Sequence, residues 1–169
     1  MTGDRWRDAI NHKNKGFSLI ELLIVVAIIL IIAAIAIPNL LRSRISANEA
    51  SAVGSVRTIN TAQVSYSLTY PDQGYASVLS ILGGTGAPTQ TNAGLLDAVL
   101  SNGSKSGYQF KLSAATGTSG STFLTYTQQA WPVNANQTGI RSFYSDQTGI
   151  IRYNSTGNTS PASTDKPLQ

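Results

Sequence analysis

Two hydrophobic patterns follow one another along this chain. From Phe17 to Ile37 the residues are almost all aliphatic, on every side of a would-be helix, and only Ser18 and one charge, Glu21, interrupt them. These 21 residues reach ~31 Å as a helix, enough to cross the hydrocarbon core of a bilayer. A helix buried in a soluble core is usually shorter and polar on one side. After Pro38 the pattern becomes amphipathic. Leu41 and Ile45 lead to Val53, Val56, Ile59, Ala62 and Tyr66 at spacings of three or four, with Val64 and Leu68 beside them and Ser, Asn, Thr, Arg and Glu49 between. The two patterns together predict one helix from Phe17 to about Thr69. The breaker Tyr70-Pro71-Asp72-Gln73-Gly74 ends it.

Downstream the periodicity shortens. Residues 70–106 are rich in Gly, Ser, Thr, Pro and Asn and predict a connecting loop, with a short helix possible over Gly94–Leu100. Tyr108, Phe110 and Leu112 alternate with Gln109 and Lys111, a half-buried strand. Phe123–Ala130, Ile140–Tyr144 and Ile150–Tyr153 read as three more, the last two joined by the Ser145–Gly149 hairpin loop. The fold class expected is α+β, a long helix whose second half packs against an antiparallel sheet of about four strands. Residues 154–169, rich in Ser, Thr, Asn and Pro, read as a flexible surface tail.

Composition narrows the chemistry. Only 12% of residues are charged, too few for a disordered acidic or basic tail, a coiled coil or a nucleic-acid arm. Half of the net charge of +4 lies in the first 16 residues, where Arg5, Arg7, Lys13 and Lys15 outnumber Asp4 and Asp8. The remainder offers no basic stripe to follow phosphates, so no nucleic-acid partner is inferred. Cysteine is absent, which excludes disulfides, thiolate catalysis, iron–sulfur clusters and a lipid-modified cysteine. The only histidine, His12, precedes the apolar run. No phosphate-binding glycine motif is present. Glu49, Asp72, Asp97, Asp146 and Asp165 stand apart from one another in sequence, so no carboxylate pair for acid–base work is indicated. Asp146 reads as a turn-stabilising residue ahead of a calcium ligand, because one carboxylate makes a poor calcium site. The reading is no enzyme, no metal and no cofactor.

The functional signal lies at the start of the apolar run. A carboxylate such as Glu21 inside an apolar helix is costly without a partner and marks a functional position; the plain alternative is that it snorkels to the headgroups. Basic residues ahead of the run outnumber Arg42 and Arg44 behind it, which orients the N-terminus to the cytoplasm and residues 40–169 outward. A second alternative is a secretory signal cut after Ala34-Ile35-Ala36. Against it stand the length of the apolar run, Glu21 within its start, and Pro38 just beyond the cut.

Lys15-Gly16-Phe17-Ser18-Leu19-Ile20-Glu21-Leu22-Leu23 resembles the cleavage and methylation motif of type IV prepilins and the related type II secretion pseudopilins. The resemblance implies cleavage of the Gly16–Phe17 bond by a prepilin peptidase on the cytoplasmic side, then N-methylation of Phe17. It also implies that Glu21 is the family's acidic assembly residue and Pro38 its helix proline, a kink or a point of local melting. Cysteine being absent, the C-terminal disulfide frequent in that family is missing here. On this reading 1–16 is a cytoplasmic leader that is removed. Residues 17–38 are a transmembrane and filament-core helix, 39–69 its amphipathic continuation, 70–106 a connecting loop, 107–153 the sheet and 154–169 the tail.

The residues suit assembly on physical grounds too. Cleavage removes the cytoplasmic charges and leaves one amine at Phe17, which shares a helix side with Glu21 four residues on. In a low-dielectric core the carboxylate needs the amine of its own chain or of a neighbour, which makes the pair a device for register. The function expected is a structural subunit of an extracellular type IV pilus-like filament. It is held in the inner membrane before assembly, with copies of itself, the prepilin peptidase and an inner-membrane assembly platform as partners. A type II secretion pseudopilin shares the same N-terminal chemistry and stays open as the alternative. A membrane-anchored binding module that never polymerises is the reading from a different class.

Overall fold

The computed structural model describes residues 16–116, 122–157 and 160–168. Residues 1–15, which include His12 and four basic residues and form all but the last residue of the expected leader 1–16, lie outside the described residues. The chain divides into two compact units between Asn39 and Leu40, one residue beyond Pro38. Helix α1, Leu19–Thr69, is 51 residues long and includes Pro38. Proline has no N–H, so the Ala34 carbonyl loses its usual donor. Helical geometry nevertheless continues through this point, and the local melting that Pro38 predicts is not found.

In the first unit α1 buries nothing. Every large apolar side chain from Phe17 to Ile37 is exposed, from Val25 and Val26 at 46% to Leu19 at 79%. By length and composition this stretch can cross a membrane.

The second unit folds around one core. The remainder of α1 directs Ala52, Val56, Ile59, Ala62 and Tyr66 inward, as the three-and-four spacing predicts, and they join Tyr108, Phe110, Leu112, Tyr126, Ala130 and Phe143 in a single cluster. Two one-turn helices, α2 (Leu79–Leu82) and α3 (Ala98–Ser101), add Leu79, Leu82 and Leu100. The Asp97 carboxylate caps α3 by accepting from the Leu100 N–H at 2.9 Å. Gly74, in the breaker after α1, has φ +73°, and an added Cβ would sit 2.2 Å from the Phe123 carbonyl oxygen. Glycine is required there both for conformation and for the close approach to the sheet.

The sheet is an antiparallel meander of six strands in chain order: β1 (Ser104–Lys105), β2 (Tyr108–Thr116), β3 (Phe123–Pro132), β4 (Ser142–Asp146), β5 (Arg152–Asn154) and β6 (Lys166–Pro167). The expectation of about four strands holds for β2 to β5; β1 and β6 are two-residue edges, too short to leave a periodic signal. β2 alternates buried and exposed residues as expected and pairs with β3 in the register Phe110 to Ala130. Two strand positions differ from expectation. Ile140 and Arg141 fall outside β4 because both of their N–H groups are taken by Glu49. β4 itself is buried at four successive residues, Ser142 to Ser145, so it has no alternation to read. Ile150 and Ile151 are likewise outside β5, the first exposed and the second buried.

The segment 154–169, polar enough to read as a flexible tail, is tied back where it is described. β6 pairs with β5, Pro161 is buried and accepts from the Gln129 amide at 2.8 Å, and Asp165 binds the Asn154 amide and the Ala162 N–H. Hydrogen bonds made by short polar side chains, invisible to hydropathy, hold it in a chain that has no disulfide.

Candidate functional site

The segment singled out by sequence begins without helix. Gly16, Phe17 and Ser18 precede α1 in non-helical conformation, and all three are exposed. An added Cβ at Gly16 meets no atom within 4 Å, and its φ lies outside the left-handed region. Neither space nor backbone conformation therefore requires glycine at this position. Phe17 is 74% exposed.

Ser18 stands at the N-cap of α1 and Glu21 at its third residue. The Ser18 N–H donates to Glu21 Oε2 at 2.9 Å, and the Leu22 N–H closes the first turn on the Ser18 carbonyl at 3.2 Å. This is the carboxylate half of a capping box, with the acid folded back over the helix start, where the macrodipole favours negative charge. The Ser-x-x-Glu spacing was present in the sequence, and it gives Glu21 a local role that hydropathy alone does not suggest. The other oxygen, Oε1, has no hydrogen-bond partner among the described residues. Glu21 is thus placed at the N-terminal end of an uncovered apolar helix with acceptor capacity to spare.

In the second unit four carboxylates, those of Glu49, Asp97, Asp146 and Asp165, are occupied by partners. Glu49, 6% exposed, is the most heavily bonded. Its Oε1 accepts from the N–H groups of Ile140 and Arg141, both at 2.9 Å, and its Oε2 accepts from Arg141 Nε at 2.8 Å. Burial alone would raise its pKa, but those two N–H groups and the guanidinium reverse this and hold the carboxyl below its ordinary value of 4.5. The Arg141 guanidinium also lies over the rings of Phe143 and Tyr153. This clamp fixes the β3–β4 connection to α1. Sequence did not reveal it, because the partners are 91 and 92 residues apart. Asp97 pairs with Lys105 Nζ at 3.0 Å. Asp146 makes the turn expected of it, accepting from the N–H of Thr148 at 2.9 Å and from its hydroxyl at 2.5 Å. Among the described residues no group of three or more potential metal ligands occurs.

The profile of the prokaryotic N-terminal methylation motif matches residues 11–37. Two curated relatives are similar over part of the chain. The type IV major pilin protein PilA of Myxococcus xanthus is 48% identical over 56 residues, 33% of this chain and 26% of that protein. The type IV wide pilus major component PilA4 of Thermus thermophilus is 69% identical over 35 residues, 21% of this chain and 27% of that one. The matched part thus spans about a quarter of the length of these relatives. No solved structure matches. The chain therefore carries a prepilin-type N-terminal methylation motif ahead of an α+β unit and is similar, over a third of its length or less, to type IV major pilins.

Proposed function

We propose that this chain is a structural subunit of a type IV pilus-like filament, matured by cleavage between Gly16 and Phe17 and by N-methylation of Phe17. The observation that carries the reading is the apolar stretch Phe17–Ile37, its large side chains all exposed, coinciding with the methylation motif. Such a surface is stable only in a bilayer or against other apolar helices. The inner membrane supplies the first environment, with the N-terminus cytoplasmic, and a bundle of the same helices at the centre of a cell-surface filament supplies the second.

Each site residue then has a physical role. The fold makes no demand for glycine at position 16, so the requirement belongs to a processing peptidase that must grip an extended, uncluttered backbone. Hydrolysis of the Gly16–Phe17 bond leaves a carboxylate on Gly16 and an amine on Phe17, which a methyl donor then modifies. That ammonium, at the positive end of the helix dipole, needs a compensating anion. Glu21 supplies it, with Oε2 held by the Ser18 N–H and Oε1 free for the amine of its own chain or of a neighbour. Pro38 removes one backbone hydrogen bond at the boundary between the units and makes this the place for a bend. The partners are copies of the chain, the prepilin peptidase and an inner-membrane assembly platform.

Gly16→Val tests the processing step. Because the added side chain has open space around it, the folded unit keeps its melting temperature while the chain is expected to retain its leader in cells containing a prepilin peptidase. Trimming of Gly16→Val at the wild-type rate would count against the assignment of this bond.

A further inference from the structure

We propose that a cleft in the second unit holds the phosphate headgroup of an anionic phospholipid while the chain resides in the membrane. This rests on the reading of Phe17–Ile37 as a membrane span. The cleft, about 720 Å³ in volume, lies between α1 at Leu41, Arg44, Ile45 and Asn48 and two loops, at Gly107 and at Gln137. That is large enough for a small polar group with part of its apolar attachment.

Its charge is one-sided. No acidic residue lines it. Arg44 takes part in neither of the two salt bridges found among the described residues, and the nearest carboxylate along the helix, Glu49, is committed to Arg141. The Gln137 side chain also has no hydrogen-bond partner among the described residues, so the cleft lining holds an amide as well as the guanidinium. An arginine fork with an adjacent neutral donor suits phosphate oxygens. Leu41 and Ile45 flank Arg44 on the same helix side, so the cation is bordered by aliphatic surface. This pairing complements the junction of phosphate, glycerol and acyl chain in a lipid better than it complements a free ion.

The walls are fixed in advance. Asn48 Nδ2 donates to the Thr138 carbonyl at 2.9 Å, and Ser51 bonds Ser106 at 2.9 Å. Gly107, at φ +73°, brings the two loops so close that an added Cβ would lie 2.9 Å from Thr138 Cβ. Arg44 follows Ile37, the end of the apolar run, by only seven residues, so the chain brings it near the headgroup layer bordering such a span.

The test uses the full chain in vesicles of phosphatidylcholine, with or without phosphatidylglycerol, and reads hydrogen exchange at 106–107 and 136–138. Phosphatidylglycerol is expected to slow exchange there about fivefold, the effect of one arginine beside an anionic surface. Arg44→Gln should abolish the slowing, and Arg42→Gln, outside the cleft, should keep it. Equal exchange in the two lipids would overturn the proposal. So would an equal loss in Arg42→Gln, which would mean diffuse surface charge. The same protection from inorganic phosphate in phosphatidylcholine vesicles would also overturn it, by identifying an anion site indifferent to lipid. Flotation separates the two levels: a chain that floats with neither vesicle type contradicts the membrane reading itself.

Discussion

From Phe17 to Ile37 every large apolar side chain is at least 46% exposed, whereas in the second unit even amides are buried. Gln63, fully buried, pairs with both the N–H and the carbonyl of Ala76, at 2.8 and 2.9 Å. Gln128, 2% exposed, donates to the Val56 carbonyl at 3.0 Å and to Asn60, which also accepts from the Tyr126 hydroxyl. The second unit pairs most of its buried polar groups internally; among the described residues Gln128 Oε1 and the Ser142 hydroxyl are buried without a partner. The stretch from Phe17 to Ile37 leaves its large apolar side chains uncovered and carries a single acid, Glu21. One unit is stabilised by its own contacts, the other only by its surroundings, and this division suits the proposed role, in which a subunit leaves a membrane and enters a filament without refolding.

The largest effect expected from breaking this comparison is at Glu21. Glu21→Ala should eliminate sedimentable surface filaments while membrane insertion and the melting of the second unit stay unchanged, as read by shearing, fractionation and circular dichroism. A non-polymerising binding module would behave like wild type in all three.

In the second unit the largest cost is expected at the clamp. Glu49→Ala leaves two N–H groups and a guanidinium without their acceptor and should destabilise this unit by about 3 kcal/mol, a fall in Tm of about 10 °C. Gly139→Ala comes next. Gly139 is buried, and an added Cβ would stand 2.1 Å from the Tyr108 hydroxyl, which is itself held by the Arg141 carbonyl at 2.7 Å. A cost of about 2 kcal/mol is expected, measurable by denaturant titration.

Acid should act through the same clamp. The Glu49 carboxyl is held below its ordinary value in the folded chain, so the unfolded chain takes up this proton first as pH falls. Its contribution is therefore fully present above about pH 4.5 and is lost as pH falls through the lower folded value. Thermal melts across that window should show the loss in wild type and a flatter profile in Glu49→Gln. The smallest effect has the opposite sign. Gly54 lies exposed within α1 with nothing within 4 Å of an added Cβ, and Gly54→Ala should stabilise the helix by about 1 kcal/mol.

What could be read in advance follows from the range of each interaction. The helix to Thr69, its inward stripe and the alternation of β2 are local patterns and were legible residue by residue. The Ser18–Glu21 contact was equally local, a spacing of three, yet the hydropathy of the run obscured it. The Glu49 clamp, the Asn60–Gln128 network and the anchoring of Pro161 join residues 32 to 92 positions apart, and no periodicity encodes such pairings. The edge strands β1 and β6 escaped because two residues make no pattern. The bounds of β4 escaped because Ser142 and Ser145 are buried polar residues where alternation expects apolar ones.

The central claim, that the bare helix begins at a processed Phe17 and is buried by copies of itself, is tested most directly by intact mass and N-terminal sequencing of material sheared from the cell surface. The account predicts a chain that starts at N-methylated Phe17 and sediments as filaments. A chain that starts at Phe17 but stays confined to the membrane would point to a pseudopilin, and a start at Ile37 would contradict the account outright.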